Sequence, residues 1–306
     1  RFFFLLLVCM TSVSGQGDTH WWCSSGSSFT AAPHQVAGHL FERGKIGSLV
    51  CDSGYFYKPL QRGPRGMRER AFYESLNGAH AAEDAEEGDE ESTSILDDLS
   101  SFVPGFFGVL ELGGITYMKM KDVTRQYEEP CIIDIKIGYQ TWYPSATDSH
   151  IEKCKLKDSA TTSSELGFKI CGMQVYNCES DSYWRTTKEW CKKLDVNSVK
   201  EALVQFLSHP SGNVTIKDIC FGPAGLIPKI ESLVQWCEKQ RHFHFYSASI
   251  LICYEGNATC PDELKVELKL IDFAHALLAN GNKDDNFISG LSSFRVVLED
   301  IASKSS

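Results

Sequence analysis

Residues 130–138 read Pro-Cys-Ile-Ile-Asp-Ile-Lys-Ile-Gly. Isoleucines at 133, 135 and 137 alternate with Asp134 and Lys136. Successive side chains of a strand point to opposite faces. The stretch therefore predicts a strand with one apolar face turned to a core. Its other face carries an acid and a base side by side. Such a pair can engage an alcohol and a phosphate together; the plain alternative is a salt bridge on a solvated strand.

Working outward, strands and helices follow one another on both sides. Upstream, 34–39 and 49–60 read as short strands joined by turns at Gly44, Gly47 and Gly54. Residues 65–76 read as a helix with Phe72 and Leu76 on one face, and 114–121 as a strand. Downstream, 148–158 reads as a basic helix and 168–176 as a strand. Residues 195–208 and 227–242 read as amphipathic helices, and 249–254 and 266–273 as strands. Strands come early and are then mixed with helices, which predicts an α+β protein of two lobes around a cleft. The N-lobe is expected over about 33–122 and the larger C-lobe over about 123–306. Residues 1–32, rich in Ser and Gly after the apolar run 2–10, read as disordered or as an imperfect gene start.

The chain has 306 residues, enough for two lobes and a cleft. Its formal net charge is −10. Seven acids fall in the run 83–91 (Glu-Asp-Ala-Glu-Glu-Gly-Asp-Glu-Glu), read as part of a solvated loop over 81–94. Without them the balance is only about −3. Overall charge thus argues against direct nucleic-acid binding. An anionic substrate must be held by a local cluster of Lys and Arg. The 12 cysteines show no metal-ligand spacing. They read as buried, reduced thiols; the rival is a secreted disulfide protein with 2–10 as a signal core. No segment is long enough to span a bilayer.

Four groups of residues have the chemistry of phosphoryl transfer, which needs a lysine on nucleotide phosphates, a carboxylate for Mg²⁺, a group orienting the attacking hydroxyl and further cations. Lys58 closes the apolar run Tyr55-Phe-Tyr-Lys58, and Glu69 on the next helix can pair with it, as in protein kinases. Alone, such a pair is more often a surface ion pair. Asp134 and Lys136 are the second group. Asp272 follows the apolar run 266–271 and suits a hard cation, although a turn-capping aspartate fits that pattern too. Lys153 and Lys157, four apart, share a helix face that can grip phosphates; by composition alone this is a solvated helix.

Pro130, Asp134, Lys136 and Gly138 match PxxxDxKxG, and with it the chain resembles the inositol polyphosphate kinase family. The likeness extends to His34-Gln-Val-Ala-Gly-His39, Lys58-Pro-Leu-Gln61 and Ala71-Phe-Tyr-Glu74. It continues through Gly172-Met-Gln-Val-Tyr176, Ser247-Ala-Ser-Ile-Leu251 and Leu270-Ile-Asp272-Phe-Ala-His275. Within the family, residues 137–144 and 161–168 are most similar to the plant multikinases.

The resemblance implies a kinase-like fold with ATP between the lobes. It implies Lys58 on the nucleotide phosphates, Glu69 supporting it, and Asp122 and Val123 at the nucleotide in the connection between lobes. Asp134 and Lys136 would be catalytic and Asp272 would bind Mg²⁺. Lys153, Lys157, His275 and Gln61 would bind substrate. ATP and Mg²⁺ would be the cofactors, and soluble inositol polyphosphates the substrates, from the 1,4,5-trisphosphate to a pentakisphosphate. A monomer in nucleus and cytoplasm is expected, and the resemblance to the family's multikinases implies nuclear protein partners. The rivals are a non-catalytic nuclear binding protein of the same fold and an inositol hexakisphosphate kinase.

Overall fold

A computed structural model describes residues 21–22, 28–38, 46–81, 98–209, 213–222 and 224–305. The N-terminal half contributes strands β1 (Trp21–Trp22), β2 (Ser28–Ala31), β3 (Leu49–Cys51) and β4 (Tyr55–Pro59). Helices α1 (Pro64–Ala81) and α2 (98–102) follow, then β5 (Phe106–Leu112) and β6 (Ile115–Lys121). The six strands form one antiparallel sheet in the order β1-β2-β3-β4-β6-β5.

The chain then crosses to a second sheet. Its strands are β7 (Pro130–Ile137), β8 (Phe168–Asn177) and β9 (Ser182–Arg185), with β11 (Ser249–Glu255) and β12 (Glu267–Ile271). Their order is β12-β11-β7-β8-β9. Between β7 and β8 lie α3 (Asp148–Ser159) and α4 (Ser163–Leu166). After β9 come α5 (Lys188–Lys192), α6 (Val196–Leu207), α7 (Ile216–Phe221) and α8 (Leu226–Lys239). A small ribbon pairs β10 (Phe243–Phe245) with β13 (Ala276–Leu278), and α9 (Asp285–Lys304) ends the fold.

The isoleucine alternation of 130–138 does what it predicts. Ile133, Ile135 and Ile137 are fully buried in a core shared with Leu203 and Phe206 of α6 and with Leu291 and Phe294 of α9. Burying each isoleucine stabilises by about 2 kcal/mol. That apolar face is what lets the strand carry Asp134, only 6% exposed, on the other. The same core takes in Phe72, Tyr73 and Leu76 of α1 and Met118 and Met120 of β6, so one apolar interior joins the two lobes.

Two expectations are corrected. Residues 34–38 are not a strand: they form a turn and bend that leave the first sheet and lie on the second. Their hydrogen bonds go to side chains rather than to a ladder, with Gln174 Nε2 3.0 Å from His34 Nδ1 and Arg185 Nη2 donating to Pro33 O at 3.1 Å. Ordered structure starts before Pro33, since Ser28–Ala31 is β2 and Phe29 is buried beneath it. The long helix α9 has no counterpart in the sequence reading. His39, Gly44, the acidic run 83–91 and the apolar run 2–10 fall outside the described residues. Among the described residues, no helix is long and apolar enough to cross a membrane. Seven of the ten described cysteines are buried, as core residues.

Candidate active site

Lys58 lies on β4, opposite Met118 of β6, at the edge of a cavity of about 270 Å³ between the two sheets. Its ammonium donates to two carboxylates: Glu69 Oε1 on α1 at 2.6 Å and Asp272 Oδ1 at 2.6 Å. Burial alone would pull the Lys58 pKa down, but Asp272 and Glu69 outweigh it and hold the group charged well above its ordinary range. Glu69 is fully buried, and its second oxygen has no partner. The lysine-glutamate pair is thus internal rather than the surface pair that pattern alone favours.

Asp272 ends β12 and caps a single 3₁₀ turn, Phe273–His275. Its backbone is left-handed (φ 68°, ψ 65°), a conformation that Asp and Asn tolerate far better than branched residues. Phe273 anchors that turn by stacking on Phe72 of α1, with centroids 3.9 Å apart. The helix that supplies Glu69 and the turn that supplies Asp272 are therefore packed as one unit.

Asp134 faces the same cavity from β7. Its Oδ1 is buried without a hydrogen-bond partner, as is Oγ of nearby Ser249. Burial, and then the negative charge of Asp272, push the Asp134 carboxyl up to about 6; the charges of Lys136 and Lys58 oppose the shift. Lys136 stands two residues on, on the same face, and its ammonium donates to Ser247 O.

The rest of the cavity wall is the connection Met120–Thr124, the crossing segment 32–38, and Phe56, Gln61, Ile132, Leu251 and Ile271. Asp122 and Val123 are thus where the sequence places them. The Asp122 carboxylate, however, is already engaged: Oδ1 accepts from Thr124 N at 2.9 Å and from Thr124 Oγ1 at 2.7 Å. A nucleotide contact from this residue falls to its second oxygen or its carbonyl.

Lys136, Lys153, Lys157 and His275 do not line this cavity. They belong to a basic rim beside it. His275 stacks on His150 of α3, centroids 6.0 Å apart, and sits 5.8 Å from the Tyr143 ring. Burial, and then Arg65, Arg68, His150 and Lys136, lower the His275 pKa to about 4. Its buried Nδ1 has no partner. Arg68 reaches Tyr143 OH at 3.4 Å. Helix α3 is moored at its far end by Asp158, which accepts from Thr141 N at 2.9 Å and from Thr141 Oγ1 at 2.9 Å. Residues 150, 154 and 158 form its inner face, and exposed Lys153 and Lys157 flank it.

The sequence reading missed Arg68, Tyr143 and His150. For Arg68 a signal existed, because it lies one helical turn after Arg65 and shares its face. The other two are brought in only by tertiary packing.

No group of three or more His, Cys, Asp or Glu able to hold a metal is found among the described residues. Asp272, its side chain 39% exposed at the cavity, suits a hard cation whose remaining ligands are phosphate oxygens and water. An N-terminal sheet with a paired lysine, a larger second half with carboxylates on and just past its strands, and a cavity between them define a two-lobed, kinase-like α+β protein.

Comparison with known proteins narrows the class. A family model for inositol polyphosphate kinase matches residues 117–299. Inositol polyphosphate multikinase alpha of Arabidopsis thaliana is 34% identical over 275 residues, covering 85% of this chain and 92% of that protein. The Homo sapiens inositol polyphosphate multikinase is 33% identical over 255 residues, covering 82% and 56%. A solved inositol phosphate multikinase superposes with a TM-score of 0.60 at 31% identity, covering 76% of this chain and 98% of that one. The S. cerevisiae enzyme, solved with ADP and Mn²⁺, shares the fold at a TM-score of 0.61 and 21% identity, covering 80% and 98%. The chain belongs to the inositol polyphosphate kinase family.

Proposed function

We propose that the protein is an ATP-dependent kinase of soluble inositol polyphosphates, converting inositol 1,4,5-trisphosphate to tetrakis- and pentakisphosphates. One observation carries the reading. Lys58 from the first lobe is bonded to Asp272 from the second across a cavity that also holds Asp134, and a cationic rim begins where that cavity ends.

The roles follow from position. Lys58, fixed by Glu69, holds the nucleotide phosphates, and residues 120–124 face the base. Asp134 accepts a hydrogen bond from the attacking hydroxyl. Raised to about 6, it is ionised at neutral pH yet basic enough to take the proton as the new bond forms. Lys136, two residues from Asp134 on the same face of β7, meets charge on the group in transit. Gln61, which lines the cavity, offers its amide to substrate. His275, neutral near pH 7, offers hydrogen bonds to a substrate phosphate, and Lys153 and Lys157 offer point charges. Mg²⁺, held by Asp272, would supply neutralisation of the phosphate oxygens.

The test is transfer of label from ATP to inositol 1,4,5-trisphosphate with Mg²⁺, products being resolved by anion exchange. Asp272→Asn serves as the control because it keeps the left-handed backbone. Tetrakis- and pentakisphosphates should form with the wild type and not with the variant. No product from this or from more phosphorylated inositols would favour a binding protein of the same fold.

A further inference from the structure

Lys169 has no role in the reading above. It lies on β8, directly opposite Lys136 of β7 in the antiparallel register. Its neighbours Phe168 and Ile170 are turned to the core. Lys169 is therefore on the cleft face of the sheet, with Asp134 and Lys136. The register shift between Asp134 and Ile135 leaves Lys136–Lys169 as a true cross-strand pair.

Like charges directly opposite on neighbouring strands repel, and their side chains start only about 5 Å apart. A fold tolerates such a pair when something anionic lies between or above it. Among the described residues, neither lysine forms an ion pair with a carboxylate. Two acids lie on this side: Asp134, which feels Lys136, and Asp158, which already accepts hydrogen bonds from Thr141. Lys136 is turned to Ser247 O. Burial lowers the Lys169 pKa; Cys171 and Asp158 work against that, while Lys136 and Lys157 lower it further. Three lysines from β7, β8 and α3 thus feel one another around one point of the rim.

We propose that Lys169, beside Lys136 and together with Lys157, clamps a phosphate of the inositol polyphosphate other than the group at the reacting hydroxyl, which Lys136 meets. The inference rests on the acceptor site described under the proposed function and adds a binding residue to it. A lysine serves here as a point charge that follows a phosphate without bidentate geometry. Its contribution is to affinity for the acceptor rather than to the transfer step.

The test uses the full chain as wild type, Lys169→Met and Lys169→Arg. Kinetics are measured with inositol 1,4,5-trisphosphate and with ATP, and calorimetry follows binding of inositol hexakisphosphate as a non-reacting polyanion. Lys169→Met should raise the acceptor KM and weaken hexakisphosphate binding by about tenfold, the loss of one charge-assisted contact. The ATP KM should be unchanged, Lys169→Arg should recover most of the affinity, and melting temperature should not fall, since a repulsive pair is removed. An unchanged acceptor KM, or equal rises for acceptor and ATP, overturns the proposal. If the wild type binds hexakisphosphate but transfers no phosphate, the kinase reading fails, and the binding arm alone decides Lys169. A wild type that does neither sinks both.

Discussion

Asp134 is held in a setting that disfavours its charge. Its carboxyl is raised from an ordinary 3.8 to about 6, so the folded protein binds that proton more tightly than the unfolded chain does. The stability tied to this group is complete below about pH 4 and is lost as the pH rises through about 6. Asp134→Asn should therefore abolish turnover and yet raise the melting temperature at pH 7.5 by a few degrees. The gain should vanish near pH 4. Melting curves at the two pH values check this; a variant less stable than wild type at pH 7.5 would mean that the nearby lysines matter more than burial. An active-site residue that lowers stability is common, because function and stability make different demands on the same atoms. The acid limb of kcat/KM against pH should likewise fall near 6.

At the scale of elements, the crossing segment 33–38 is held down by a close approach. A Cβ at Gly172 would lie 2.0 Å from Val36 O, so only glycine lets the segment seat on β8. Val36 then packs beside Tyr127, Ile132 and Cys253. Gly172→Ala should lift this wall of the nucleotide cavity. The ATP KM should rise several-fold and the fold should weaken by roughly 1–3 kcal/mol, the usual penalty for overpacking. Unchanged ATP kinetics in a folded variant would show that the segment does not shape the nucleotide site.

A period of 2 or 3.6 within a few residues made β7, α6 and α8 legible in the sequence, while α3 and β11 were legible from their basic and apolar composition. Such local patterns also placed Asp134 and Lys136 on the strand that carries them, whereas Asp272, read within a strand over 266–273, lies one residue past β12. Helix α9 was legible too and went unread: Asp284 caps it, accepting from Phe287 N at 3.0 Å, and Phe287, Leu291, Phe294 and Leu298 follow at helical spacing. Residues 34–38 were not legible. Their conformation is set by Gln174, Arg185 and Gly172, all more than a hundred positions away, and no local pattern carries that information. The same holds for the meeting of His150 with His275.

The molecule as a whole has one principal interior. Phe72 of α1 stacks on Phe273 of the second lobe, and Met118 and Met120 share a core with Ile133 and Phe245. The lobes should consequently melt together. Calorimetry should record one transition, with the calorimetric and van't Hoff enthalpies equal, and a saturating nucleotide should move that single peak upward. Two resolved transitions would mean that the lobes are independent folding units.

The left-handed backbone at Asp272 also bears on descent. Drift at this position is channelled: aspartate, asparagine and glycine sit there with little strain, whereas most other side chains do not. A lineage that gave up catalysis but kept the fold would carry Asn or Gly in place of Asp272 more often than any other residue. The loss of the enzyme could then be read from one codon while the rest of the gene still looked intact.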